Sequence, residues 1–263
     1  MDLGLNNKIV LVTAASQGLG KASALSIANE GAKVIICSRD EKKISKSAKE
    51  IKKQTGSEVS FFQADLSDKE DINKMVEDII KKHGRIDVLV NNTGGPKAGF
   101  FDEISDDDWI STFESTFLSA VRLTRAVLPS MRRNKWGRII NISSVSAKQP
   151  IDNLMLSNGV RMSVHGWAKT LSNQIASDNI LINNVCPGFT KTERVEGLVS
   201  IQAKELNVSE EQVVDTISSN IPIKRVGKPE ELADLVTFLA SEKSSYITGQ
   251  SIAVDGGVSS LPI

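Results

Sequence analysis

Residues 8–20 read Lys8-Ile9-Val10-Leu11-Val12-Thr13-Ala14-Ala15-Ser16-Gln17-Gly18-Leu19-Gly20, and this stretch decides the fold. The apolar, β-branched run at 9–12 reads as a buried strand, and residues 21–30 read as a helix. A turn of small residues joins them. A strand, a glycine turn and a helix start, in that order, suit a dinucleotide pyrophosphate. Glycines let the backbone approach the phosphates, and open N–H groups in the first helical turn receive the negative charge. Thr13, Ala15, Ser16, Gln17, Gly18, Leu19 and Gly20 are therefore candidate cofactor-binding residues. An ordinary tight turn can look the same, so the rest of the chain must decide.

Outward from that turn the alternation continues. Apolar runs recur at 34–37, 59–62, 88–90, 139–142, 180–185 and 252–254, with helical segments between them. Near-continuous apolar strands imply a parallel sheet covered on both faces. The expectation is α/β: a Rossmann-type, doubly wound, seven-stranded parallel sheet in a single domain over 1–263. Ligands of such sheets bind beyond the carboxyl ends of the strands, which makes the residues after each run the candidates for function.

Composition narrows the class. With 40% hydrophobic and 24% charged residues, the chain has the balance of a soluble globular protein. Its 32 basic and 32 acidic residues cancel, which argues against a nucleic-acid partner. No apolar stretch is long enough to span a membrane and the N-terminus lacks a basic region followed by an apolar stretch, so a cytoplasmic location and no membrane partner are expected. Cys37 and Cys186 each sit in an apolar run and read as buried free thiols rather than a disulfide. Neither Cys nor His clusters in a way that suggests a metal. Lysines at 42, 43, 46, 49, 52 and 53 surround Ile44, Ala48 and Ile51 at helical spacing, as on a solvated amphipathic helix.

The second strand is followed by Ser38 and Arg39. An acidic residue there would accept from ribose hydroxyls, whereas a guanidinium fork suits a 2′-phosphate. That favours NADP(H), with NAD(H) possible; Asp40 next door suits a helix N-cap. Asp65 and Leu66 follow the third strand, and Asn92, Thr93 and Gly94 the fourth, where a carboxylate could meet adenine and a glycine the ribose. Ser143, Ser144 and Ser146 follow the fifth. Pro187, Gly188, Thr190 and Thr192 follow the sixth, where a nicotinamide carboxamide would lie.

Taken together, residues 7–259 resemble the short-chain dehydrogenase/reductase family, through the glycine turn, Asp65-Leu66, Asn91-Asn92-Thr93-Gly94, Ser143-Ser144, Pro187-Gly188, Ile247-Thr248-Gly249 and Asp255-Gly256-Gly257. The nearest branch resembles the 3-oxoacyl-acyl carrier protein reductases. The resemblance implies NAD(P)H binding, a carbonyl or alcohol substrate, and assembly as a homotetramer or homodimer through paired long helices. Ala14 stands where the family has its first glycine.

The resemblance also implies a catalytic Tyr thirteen residues after the Ser, a Lys four residues later, and an Asn on the preceding long helix. Counting from Ser144 lands on Ser157 and then Arg161, and the Asn position holds Thr116. Ser144, Ser157, Arg161 and Thr116 are thus the candidate catalytic residues, with Arg161 also a candidate for ribose hydroxyls. The only tyrosine in the chain is Tyr246, so no shift of register restores the phenol. A Ser hydroxyl is far less acidic than a phenol, and an Arg stays protonated. His165, Lys97, Lys148 and Ser144 with a water are the alternative proton sources, none compelling from sequence. Three functions remain open: an NADP(H)-dependent oxidoreductase with an altered acid, a cofactor-binding sensor or subunit, and a non-redox enzyme on the same fold. The helix-prone segment 190–220 is expected to cover the substrate, or simply to pack.

Overall fold

β-branched runs fill both faces of the central strands, and the sheet they form is parallel throughout. The structure, a computed structural model, describes residues 1–260. Its strands are β1 (Ile9–Val12), β2 (Lys33–Ser38), β3 (Val59–Gln63), β4 (Val88–Asn91), β5 (Gly137–Ile142), β6 (Ile180–Pro187) and β7 (Ser251–Val254). They lie in the order β3-β2-β1-β4-β5-β6-β7, so the winding direction reverses between β1 and β4. A crevice opens at that reversal above the carboxyl edge, the place where doubly wound sheets hold ligands.

Alternate residues of each strand serve opposite faces. On one face Val10, Val12, Val34, Ile36, Val88 and Val90 pack against α1 (Gly18–Asn29), α2 (Glu41–Thr55) and α9 (Pro229–Ala240). On the other, Ile9, Leu11, Ile35, Leu89, Ile139 and Ile182 pack against α3 (Lys69–His83), α5 (Ser119–Asn134) and α6 (Met155–Ile175). The lysine-rich α2 buries Ile44, Ala48 and Ile51 as its spacing predicts, and Asp40 caps it by accepting from the Lys43 N–H at 2.9 Å. Cys37 and Cys186 are free and buried on β2 and β6. No described helix is long and apolar enough to cross a membrane.

The apolar-rich stretch 109–131 reads as one long helix, but the structure interrupts its regular winding. After α4 (Asp106–Thr112) the chain widens into a π-helical turn, Phe113–Leu118, before α5 begins. Hydroxyls compete for the helix carbonyls there: Ser115 Oγ donates to Ser111 O at 2.8 Å, and Ser119 Oγ to Ser115 O at 2.6 Å. Thr116 sits within this turn and is buried. Helix α6 starts at Met155, which draws Ser157 into its first turn. The segment after β6 folds into α7 (Glu193–Leu206) and α8 (Glu210–Asn220), packed on each other through Val199, Ala203 and Val213.

Candidate active site

The β1–α1 turn is shaped by backbone rather than by side chains. Gly18 adopts φ +57°, and Ala14 adopts φ +45°, a left-handed conformation that L-residues enter at a cost of about 1 kcal/mol. At Gly20 a Cβ would lie 2.6 Å from Asn92 Nδ2 and 2.7 Å from Ala14 O, so only glycine fits. Asn92 Nδ2 donates to Ala14 O at 3.1 Å, which ties the turn to the end of β4. Thr13 is wholly buried, and its hydroxyl donates to Asn92 O at 2.7 Å while accepting from Asn92 N at 2.8 Å. Ala15 is buried, Ser16 O accepts from Ser47 Oγ at 2.7 Å, and exposed Gln17 begins the helix.

Helix α1 lacks the side-chain acceptor that five other helices carry at this end. Asp40, Asp68, Ser105, Thr192 and Ser209 cap α2, α3, α4, α7 and α8 with side-chain acceptors. Gln17 offers α1 none, and its first turn carries no acidic residue. The N–H groups of Gly18, Leu19 and Gly20 are left for an outside acceptor, the arrangement that anions occupy. Thr192 Cγ2 and Glu193 Oε2 would lie 3.6 and 3.7 Å from a Cβ on Gly18, so the start of α7 leans over the turn.

At the ends of β2 and β3, Arg39 is exposed and joins no ion pair among the described residues. Ser38 Oγ donates to Asp40 O at 3.1 Å, so its hydroxyl proton is engaged locally. Asp65 accepts from Ser67 N and Oγ at 3.0 and 2.7 Å. Burial raises its carboxyl, but those donors and the nearby Arg39 hold it below the usual range. Leu66 is buried in the core beside α3, leaving its backbone as the part that could meet a ligand. Thr93 is half-buried and Gly94 exposed along the crevice.

The β5–α6 end is built of side chains that hold one another. Ser144 Oγ accepts from Ser146 N at 3.0 Å, and Ser146 Oγ lies 2.9 Å from Ser157 Oγ. Ser157 is thus buried against the loop. Arg161 is also buried, its Nη1 donating to Ile142 O at 3.1 Å and Ser143 O at 2.9 Å. Burial lowers its pKa to about 10, still cationic at neutral pH, with Cys186 opposing and Arg194 reinforcing that fall. No carboxylate among the described residues pairs with it. Arg161, Thr116, Ser143, Thr93 and Asn91 enclose a cavity of about 10 Å³.

His165, one turn beyond Arg161, places Nε2 2.8 Å from Ser143 Oγ and 3.6 Å from Cys186 Sγ. Burial pushes the ring down to about 4, aided by Lys148 and Arg161. Burial likewise lifts the Cys186 thiol to about 11. Lys97 is exposed at the rim, donating to Asp108 Oδ2 at 2.9 Å and Glu103 O at 3.1 Å.

At the end of β6, Gly188 packs so closely that a Cβ would lie 2.7 Å from Asp255 Cβ. Half-buried Pro187 precedes it, and the buried Thr190 Oγ1 donates to Gly188 O at 3.4 Å. Thr192 caps α7, accepting from Val195 N at 3.4 Å. Arg194 reaches back across the crevice and donates to Pro96 O.

The structure therefore gathers the glycine turn, Asn92, Thr93, Thr116, Ser143, Ser144, Arg161 and the Pro187-Gly188 turn along one sheet edge. The cradle residues fit a dinucleotide, since an open helix start and a glycine that only Cβ-free backbone satisfies face the same crevice. Sequence reasoning missed the Ser146–Ser157 contact and the Arg194 strap, which no motif signals. The sequence offers His165 as an alternative proton source, and the structure sets its ring on the Ser143 hydroxyl at the floor of the crevice.

A family model described as "Enoyl-(Acyl carrier protein) reductase" matches residues 13–259. The chain is 35% identical to the 3-oxoacyl-[acyl-carrier-protein] reductase FabG of Thermotoga maritima, covering 97% of this chain and 98% of that one. It is 35% identical to the NADPH-dependent reductase BacG of Bacillus subtilis, over 96% and 98% of the two chains. The crystal structure of L-sorbose reductase from Gluconobacter frateurii, complexed with NADPH and L-sorbose, superposes with a TM-score of 0.95 at 31% identity, covering 99% of this chain and 100% of that one. With fold, sheet-edge residues and near-complete coverage in agreement, the chain belongs to the short-chain dehydrogenase/reductase family.

Proposed function

We propose that the protein is an NADP(H)-dependent oxidoreductase that moves a hydride to or from a small-molecule carbonyl or alcohol, with a proton-transfer end unlike its family's. The observation that carries this reading is the uncapped first turn of α1, together with Arg39 after β2, exposed and in no ion pair among the described residues. The amides of Gly18, Leu19 and Gly20 take the pyrophosphate, and Arg39 with Ser38 takes the 2′-phosphate. Asp65 and the Leu66 backbone meet the adenine, Asn92, Thr93 and Gly94 the ribose, and Pro187, Gly188, Thr190 and Thr192 the carboxamide. When bound, the nicotinamide supplies the hydride.

The chain's own residues do the rest. Ser144, whose oxygen already accepts from Ser146 N, has its hydroxyl proton available for a substrate oxygen. Arg161 keeps a fixed positive charge beside Thr93 and Thr116, where an oxygen gaining negative charge is stabilised. Helices α7 and α8 act as the lid over 190–220, strapped by Arg194 to Pro96. Exposed Ile110 and Phe113, with Trp109 and Val160, border a hollow of about 550 Å³ on α4 and α6, and this face pairs copies into a dimer or tetramer. The two buried thiols suit a reducing cytoplasm.

The test is titration with NADPH and NADH, followed by absorbance loss with a broad panel of ketones. NADPH-dependent turnover supports the reading. Tight NADPH binding with no turnover favours the cofactor-binding protein, a reading that the inward-turned Ser157 also fits. Substrate conversion without net cofactor oxidation points to non-redox chemistry.

A further inference from the structure

Asn91 Oδ1 and Arg161 Nε are buried without a hydrogen-bond partner among the described residues. Both residues wall the cavity of about 10 Å³ that Thr93, Thr116 and Ser143 complete. That volume holds about one water, and one there would accept from Arg161 Nε and donate to Asn91 Oδ1. The amide side chains of this polar floor are already engaged with one another. Asn91 Nδ2 donates to Asn141 Oδ1 at 2.9 Å, Asn141 Nδ2 to Asn184 Oδ1 at 2.8 Å, and Asn184 Nδ2 to Ser251 Oγ at 2.9 Å. Of the cavity's walls, Ser143 also reaches outward, with its hydroxyl on His165 Nε2 at 2.8 Å. His165 is partly exposed, so a chain of exchangeable hydrogens runs from the surface of α6 to the crevice floor.

We propose that His165 is a positioning residue that passes protons through Ser143 to a cavity water, in place of the phenol absent from α6. The inference rests on the oxidoreductase reading above. In the reductive direction the substrate oxygen takes a proton from the water, and the water is restored by Ser143. Ser143 is restored by Nε2–H of His165, and the ring takes a proton from solvent on its exposed side. One solvent proton reaches the new hydroxyl for each hydride delivered, and the ring ends as the other neutral tautomer, which solvent exchange resets. The titratable and charged groups around the ring are Lys148 from the β5–α6 loop, Arg161 on α6 and Cys186 on β6; burial first, then Lys148 and Arg161, keep it neutral at pH 7.

The chain has only two histidines, so imidazole NMR reads His165 directly, with His83→Gln to assign it. In the protein without cofactor His165 is expected to titrate near pH 4, and Ser143→Ala to shift its ring resonances and tautomer balance. Kinetically, His165→Gln and Ser143→Ala should each lower kcat for carbonyl reduction by about 100-fold, leaving KM and the NADPH Kd within about threefold. Because the two act in series, the double variant should be no slower than the slower single variant. Imidazole added to His165→Ala should restore part of the loss. Wild-type protein that binds NADPH yet reduces no carbonyl sinks the oxidoreductase reading and this inference together. Wild-type turnover with variants that keep full kcat, lose affinity instead, or add multiplicatively overturns the inference alone. So does a His165 ring that titrates between pH 6 and 7 whether or not Ser143 is present.

Discussion

The two halves of the sheet's carboxyl edge are built on different principles. Around β1, β2 and β4 the side chains lock backbone to backbone: Thr13 joins β1 to β4, and Asn92 holds Ala14 O. What faces the crevice is mostly amide and glycine. Around β5, α6 and β6 the side chains hold one another instead, through Ser146–Ser157, Ser143–His165 and Arg161 on two carbonyls. Phosphate binding needs N–H groups in a fixed conformation, which many sequences supply. Proton transfer needs a particular acidic side chain at a particular place. The first half can therefore stay recognisable while the second is rebuilt, as we propose for this chain.

The sharpest way to break the contrast is to put a methyl where the cradle has none. Gly20→Ala sets a Cβ against Asn92 Nδ2 and Ala14 O at 2.6 and 2.7 Å, and backbone cannot give way as a flexible side chain can. NADPH affinity by calorimetry should fall at least about 100-fold, roughly 3 kcal/mol, with unfolding still cooperative. Unchanged affinity would mean that the turn does not bind the coenzyme.

The rebuilt half should reveal itself in acid. His165 is held at about 4 by burial, with Lys148 and Arg161 in support, against roughly 6.5 in an unfolded chain. Between those values the unfolded state binds the extra proton, so this contribution is complete above about pH 6.5 and is lost as pH falls towards 4. It amounts to at most about 3 kcal/mol, less after screening of the partly exposed ring. Urea unfolding at pH 7.5 and 4.5 should show wild type losing more stability than His165→Gln. Equal losses would show that the ring is not held neutral.

What was legible follows the same division. The seven strands, their parallel packing and the amphipathic face of α2 are written in periodicity, since burial of Val, Ile and Leu fixes them one element at a time. The glycine turn was legible because its chemistry is local. The π-helical turn at 113–118 was not, because it depends on which carbonyls Ser115 and Ser119 choose, and an ordinary helix satisfies the same apolar spacing. The departures at Ser157, Arg161 and Thr116 could be counted from the motif, but their new partners could not. Ser146 and Ile142 meet them only after β5 and α6 are brought together.

A smaller effect tests the outer end of the cradle. Arg39 is exposed and in no ion pair among the described residues, so Arg39→Ala removes the proposed phosphate contact without disturbing the fold. The Kd for NADPH should rise about 10- to 30-fold, while that for NADH stays within about twofold. A parallel loss for both coenzymes would assign Arg39 to the common part of the dinucleotide and remove the basis for NADP(H) preference.

The smallest effect concerns Ala14, the one non-glycine in the cradle that carries a left-handed backbone, at φ +45°. An L-residue there costs about 1 kcal/mol, and glycine would release that strain. Glycine also gives the unfolded chain more freedom, which takes back roughly 0.4–1 kcal/mol. Ala14→Gly should therefore be neutral to slightly stabilising, by at most about 0.5 kcal/mol, with a melting temperature within about 2 °C of wild type. NADPH affinity should not change, because Ala14 O stays on Asn92 Nδ2 and the amides that face the phosphates belong to Gly18, Leu19 and Gly20. A loss of more than about 1 kcal/mol would show that the methyl packs favourably, and that the turn has adapted to Ala14 rather than tolerating it.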